Sequence, residues 1–390
     1  MQTTSQPRNK WRIGIPIALI VIVASGMLTW WFLKLPGANK TPTTTNVHVS
    51  HPAIEPPTSN HRAQTTTASQ TGTKTNPWGS AIDTQRGFVW VAEPGCEALP
   101  TCHSTFSTNI GKYSQADGSL IQNFPEPAGY SNPVFLATDA NGDVWFTQPD
   151  SNALGKLSPK GQTWSQWKLK AGNTPFDLLI DKNGNIWFTD FDANKIGFFN
   201  PQTQKFVETT IPTAQSNPYG ITMDRNGTIW FAENTLGIGQ IGSFTPTTSG
   251  AITITEHAIA LTQPHLITAD KDGNIWFSGA FSGSIGVYRP GDGTSSKYRV
   301  ATLACAAVCT THVSGIAVDK KGNVWFTDSL RATVGYFVPA TGAVHLQTLT
   351  KTDSHPHDGL NIDNNNTVWF TEQNNFSLVM WPNATFHKSK

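Results

Sequence analysis

The chain has 390 residues, a net charge of +1 and only 14% charged residues. Its repeat region carries no basic or acidic block, which excludes the clustered Lys and Arg that phosphate binding needs, and with it a nucleic-acid role. Gly, Pro and Trp are abundant, at 33, 25 and 14 residues, as expected of many short strands joined by turns.

In chain order, residues 1–12 read as a cytoplasmic tail and residues 13–33 as a transmembrane helix. The 21 uncharged positions of the latter span roughly 30 Å as a helix, the thickness of a bilayer core. Trp30 and Trp31 sit where an aromatic belt would lie. A cleaved signal peptide with a site near Ala24-Ser25-Gly26 is the rival reading. The anchor is preferred because the apolar run continues to Leu33. Either way the remainder lies outside the cytoplasm, and the expected location is the cell membrane, single-pass. Residues 34–76, rich in Thr, Ser and Pro, have too few large apolar groups for a core and read as a disordered stalk. The cysteines form two close pairs, Cys96 with Cys102 and Cys305 with Cys309, for which local disulfides are the expected use. Cross-linking of one pair to the other stays open. A zinc site with His103 has no usual ligand spacing to support it.

From residue 77 to residue 390 one unit recurs. Asp181 to Asp190, DKNGNIWFTD, reads as a tight turn followed by a strand. Related runs end at Trp90, Trp145, Trp230, Trp276, Trp325 and Trp369, with steps of 55, 42, 43, 46, 49 and 44 residues. Before each turn lies a short apolar segment. About ten residues after each Trp comes an apolar residue and Gly, as in Ile196-Gly197, and then a Thr- and Val-rich edge strand. Four strands per 45 or so residues, repeated seven times, predict an all-β, seven-bladed β-propeller of four-stranded blades. The tryptophans are expected between neighbouring blades. The long first step holds Cys96 and Cys102 in an inserted loop. The ring closes either through residues 384–390 or through linker residues before Asn76.

Antiparallel pairing puts the start of the first strand and the end of the second on one face. Counting eleven residues back from each Trp gives Val134, Phe176, Tyr219, His265, Ser314 and Asp358 at the axial entrance, with Trp78 in blade one. The third residue after each Trp gives Glu93, Gln148, Asp190, Glu233, Gly279, Asp328 and Glu372. Trp78, Phe176 and Tyr219 form an aromatic arc. His265, His312, Ser314, His355, His357 and Asp358 form a polar arc, with Glu372 and Asp328 beside it. A greasy side facing convergent ionisable groups suits a small-molecule or peptide ligand. His can serve as a base near neutral pH, and carboxylates can orient it or hold a divalent ion. The Asp residues of the DxNG turns lie on the opposite face as turn formers.

The repeated pattern P-x-x-I, D-x-x-G-x-I/V-W-F-T-E/D and I-G resembles the virginiamycin B lyase, or streptogramin lyase, family over residues 77–382. The resemblance implies a seven-bladed propeller that opens a type B streptogramin by elimination at its ester bond, using Mg²⁺, a histidine base, a second His and a Glu. The family's Pro-His-x-Ile matches Gln263-Pro264-His265-Leu266-Ile267. Its Glu-Pro-His-Gly-Ile is replaced by His312-Val313-Ser314-Gly315-Ile316, without the Glu and the second His. His265 is thus the expected base and His312, His357 and Glu372 the other catalytic groups. Trp78, Phe176, Tyr219, Ser314 and Asp358 are expected to bind substrate, and Glu372 and Asp328 to hold the metal. A monomer is expected. A non-catalytic ligand- or protein-binding propeller at the cell envelope is the alternative. A six-bladed calcium lactonase disagrees with seven Trp repeats and lacks a Glu, Asn and Asp trio.

Overall fold

In the computed structural model each inner hairpin from the second blade onward is organised by the Asp that opens it. Asp181 Oδ1 accepts the backbone N–H of Asn183 at 2.8 Å and of Asn185 at 3.0 Å. Its Oδ2 accepts the indole N–H of Trp187 at 3.0 Å. The Asp–indole pair recurs as Asp139–Trp145, Asp224–Trp230, Asp270–Trp276, Asp319–Trp325 and Asp363–Trp369. One carboxylate thus holds the turn and satisfies the polar atom of a buried Trp, the two conditions for starting a strand on that residue. Gly184 takes a φ of +77° at the same turn, which a residue with a Cβ rarely adopts.

The structure describes residues 75–95, 108–130, 132–301, 311–349, 351 and 353–382, together with three short upstream strands, Val49–Ser50, Ile54–Glu55 and Gln64–Thr67. The strands form seven sheets, one per blade. Blade three is typical, with Pro175–Ile180, Ile186–Asp190, Lys195–Asn200 and Lys205–Thr210 paired antiparallel in that order. The first strand lies nearest the axis.

Each Trp packs on the next blade. The Trp187 ring meets Phe244 of blade four at 5.1 Å, and Trp276 meets Phe337 of blade six at 6.0 Å. Trp369 of blade seven shares a buried cluster with Val89, Val91 and Tyr113 of blade one. The Phe after the Trp lies over the Gly of the third strand. A Cβ built on Gly197 would stand 2.0 Å from the Phe188 ring, and one on Gly242 1.9 Å from Phe231. The apolar-Gly signature is therefore the seat of the neighbouring Phe ring.

The ring closes through the linker. Gln64–Thr67 pairs antiparallel with Ser377–Trp381 as the outer strand of blade seven. Val49–Ser50 and Ile54–Glu55 add parallel to the edges of blades five and six. Residues 384–390, the other option for closure, lie outside the described residues. So do the apolar segment 13–33, His103 and all four cysteines, Cys96, Cys102, Cys305 and Cys309. Among the described residues no helix is long and apolar enough to cross a membrane.

Replacing Asp181 by Ala leaves the buried Trp187 N–H without its acceptor and should cost about 1–3 kcal/mol. Gly197→Ala forces its Cβ into Phe188 and should cost a similar amount, about 1–3 kcal/mol. Urea unfolding of each variant checks both; wild-type midpoints would remove these positions from the account of the blade.

Candidate functional site

In five blades a hydroxyl on the second residue after the Trp fixes the axial entrance. Thr147 donates to the Phe176 carbonyl at 2.5 Å, Thr189 to that of Tyr219 at 2.6 Å and Ser278 to that of Ser314 at 2.6 Å. Thr327 donates to His357 at 2.9 Å and Thr371 to Trp78 at 2.6 Å, the last across the ring closure. Blades two, three, five, six and seven thus set the backbone of the next blade's entrance residue, whereas blades one and four carry Ala92 and Ala232 there. In blade seven Asp358 holds the counted position, while His357 supplies the carbonyl.

At the centre stands Asp358, whose side chain is fully buried. Its Oδ2 accepts Trp78 Nε1 at 3.1 Å from blade one and the Tyr219 hydroxyl at 2.6 Å from blade four. Its Oδ1 lies 3.4 Å from His265 Nε2 and 3.2 Å from His357 Nδ1. Burial alone would raise this carboxyl, but the charge interaction with His357 and His265 outweighs it and holds the group well below the usual range.

The imidazoles surround it. His265 stacks on Tyr219 with centroids 3.9 Å apart and meets His312 edge-on at 5.0 Å. His312 lies 5.1 Å from His357, and His357 lies 5.1 Å from Trp78. Phe176 joins Tyr219 at 4.3 Å and Trp78 at 6.3 Å. The aromatic and polar arcs expected on opposite sides therefore interlock at Asp358. Burial, with repulsion from His265 and His357, pushes His312 well below the ordinary imidazole value. Burial and His357 lower His355 to about 4.

Three of the residues expected to act in catalysis, substrate binding or metal binding do not join this cluster through their side chains. Ser314 Oγ faces Thr327 Oγ1 at 3.2 Å. Asp328 accepts the His312 backbone N–H at 2.9 Å and the Thr311 hydroxyl at 2.5 Å. Glu372 accepts the His355 backbone N–H at 3.0 Å and Asn375 Nδ2 at 3.2 Å. Asp190 grips the Thr174 N–H in the same way. In blades three, six and seven the carboxylate three residues after the Trp clamps the loop that enters its own blade.

Asn234, Ser329 and Phe281 were not anticipated. Asn234 Nδ2 reaches His265 Nδ1 at 3.1 Å, Ser329 Oγ lies 3.0 Å from His312 Nδ1, and Phe281 stacks on His312 at 4.9 Å. Asn234 and Ser329 share a signal, the fourth place after the Trp. Phe281, at 44% exposure, stands at the rim.

Mg²⁺ calls for several oxygen ligands in near-octahedral geometry. The oxygens of Asp328 and Glu372 are directed at loop N–H and side-chain donors, and Asp358 offers one carboxylate among imidazoles and aromatic donors. Among the described residues no group of three His, Cys, Asp or Glu side chains is arranged to hold a metal ion. The described residues do not fit Mg²⁺ as they stand.

By fold and site the chain is a seven-bladed β-propeller that closes aromatic and imidazole side chains over one buried carboxylate at an end of its axis. A family model described as the virginiamycin B lyase family matches residues 82–307, more than half of the chain. The chain belongs to that family. Among solved structures, virginiamycin B lyase from Staphylococcus aureus is similar at a TM-score of 0.69 and 23% identity, covering 82% of this chain and 99% of that one. A catalytically inactive His-to-Ala variant of that enzyme with quinupristin matches at 0.68 and 23%, covering 82% and 99%. The extracellular domain assigned to a hybrid two-component system of B. thetaiotaomicron matches at 0.60 and 14%, covering 83% of this chain and 41% of that one. At these identities the likeness is one of fold. No curated protein matches the chain.

Glu93, in the same register as Asp328, is buried with Oε1 on the Tyr113 hydroxyl at 3.0 Å, and burial raises it to about 8. A raised carboxyl contributes stability that is fully present below its unfolded value near 4.5 and lost as pH rises through about 8. Glu93→Gln should remove this part of the pH dependence. Relative to the variant, the wild type should lose on the order of a few kcal/mol between pH 5 and 8.5 in urea titrations; parallel curves would refute the assignment.

Proposed function

We propose that the protein binds a small cyclic depsipeptide at the His265–His312–His357 end of the propeller and opens it by elimination at its ester bond. The observation that carries this reading is the packing of His265 and His357 on Asp358, with His312 against both imidazoles, beside Trp78, Tyr219 and Phe176. The aromatic faces would hold rings of the ligand, and a neutral imidazole would take the proton next to a carbonyl. Family membership supports the reaction class. No step is assigned to Mg²⁺, although the assay is run with and without it. Quinupristin incubated with the full-length chain should yield the linear product by mass spectrometry. A folded chain that forms none under either condition would sink the lyase reading.

The second reading is a binding propeller without turnover. It is favoured by the absence of the Glu and second His in residues 312–316 and by the engagement of Asp328 and Glu372 with loop N–H groups. Saturable quinupristin binding without product would select it.

The same proposal sets the propeller outside the cytoplasm, tethered by residues 13–33. The uncharged run of that segment supports it. Deleting residues 1–33 should move the protein from the membrane pellet to the soluble fraction; a full-length chain already soluble would end the anchor.

A further inference from the structure

The hydrogen bonds around the imidazoles distinguish their roles, an inference that rests on the elimination reading. The Pro264 carbonyl can only accept, and Asn234 Nδ2 lies 2.9 Å from it, so that atom is the amide NH₂. The same NH₂ lies 3.1 Å from His265 Nδ1 and must donate there too. His265 Nδ1 therefore holds the lone pair and Nε2 the proton, 3.4 Å from Asp358 Oδ1 but without a hydrogen bond to it. The basic nitrogen of His265 is spent on Asn234. To take a proton it would have to lose that bond and set two N–H groups against each other.

His312 is placed differently. It touches both other imidazoles but, unlike them, makes no ion-pair contact with Asp358. It is partly exposed, under the rim residue Phe281. Its Nδ1 lies 3.0 Å from Ser329 Oγ, a hydroxyl able to accept. With the proton on Nδ1, the lone pair sits on Nε2, and no described residue hydrogen-bonds that atom.

We propose that His312, with its Nδ1 proton held by Ser329, is the base of the elimination, and that His265 is a positioning residue that orders Tyr219 and Asp358. In the step, His312 Nε2 takes the proton on the carbon next to a carbonyl. The C–H electron pair becomes the new C=C bond, and the C–O pair of the ester leaves on the carboxylate. Burial, then His265, His357 and His355, lower the His312 value against the opposing pull of Asp358, so its ring is neutral at neutral pH.

Two measurements test it on the full-length chain. Long-range ¹H–¹⁵N spectra of histidine-labelled protein should show His265 protonated at Nε2 and His312 at Nδ1; His312 protonated at Nε2 would overturn the proposal. In turnover of quinupristin, His312→Ala should lose about 100-fold or more in kcat, with affinity held within about threefold, and added imidazole should restore part of the rate. Wild-type turnover by His312→Ala, or imidazole rescue of His265→Ala, His355→Ala or His357→Ala in its place, would also overturn it. If the wild-type chain forms no product, the elimination reading falls by itself. The tautomer spectra then still decide which imidazole presents a basic nitrogen.

Discussion

The propeller depends on one repeated contact, a turn carboxylate that accepts the indole N–H of a buried Trp six residues on. Trp is the largest side chain available for wedging two sheets together, but its N–H cannot be buried unpaired without cost. The Asp supplies the partner with one oxygen and holds the turn with the other. Register, inter-blade packing and the start of the second strand are thereby set together. Blade one departs from this pattern. Asp83 there pairs with Arg86, and Trp90 Nε1 has no acceptor among the described residues.

With the blades set, the hydroxyl belt carries their geometry to the axis. Thr or Ser two places after the Trp fixes the next entrance carbonyl, and at the last step Thr371 of blade seven fixes Trp78 of blade one. Ring closure is therefore part of the site: Trp78 reaches Asp358 only because blade one sits against blade seven. A buried carboxylate is tolerated when donors surround it. Here Trp78 and Tyr219 donate from blades one and four, and His265 and His357 of blades five and seven lie within ion-pair distance. The aromatic and imidazole cluster is the solvation shell of one charge, and its order follows from the need to satisfy that charge.

The repeat was legible because its causes are local. The turn Asp, the Trp and the Gly beneath Phe fall within about twenty residues, so the count of blades and the identity of the packing face could be read by spacing. Entrance residues could be found by counting because the turn Asp stands six residues before the Trp in blades two to seven. The count slipped in blade seven, where His357 and Asp358 share one position. Spacing alone places the acidic residues after the Trp strand at the pocket. Their side chains turn instead to backbone N–H groups of their own blade, a competition that spacing cannot reveal.

From residue order alone came the architecture, the entrance face and most members of the site, including His265, His312, His357, Asp358, Trp78 and Tyr219. Only the tertiary structure decided who bonds to whom. Trp78 and Asp358 are 280 positions apart, and Tyr219 and Asp358 139. It also decided that Gln64–Thr67 completes the last blade and that Asn234 occupies the basic nitrogen of His265. The reason is physical. Periodicity records what each blade needs for itself, whereas hydrogen-bond partners across the axis exist only once the ring has closed.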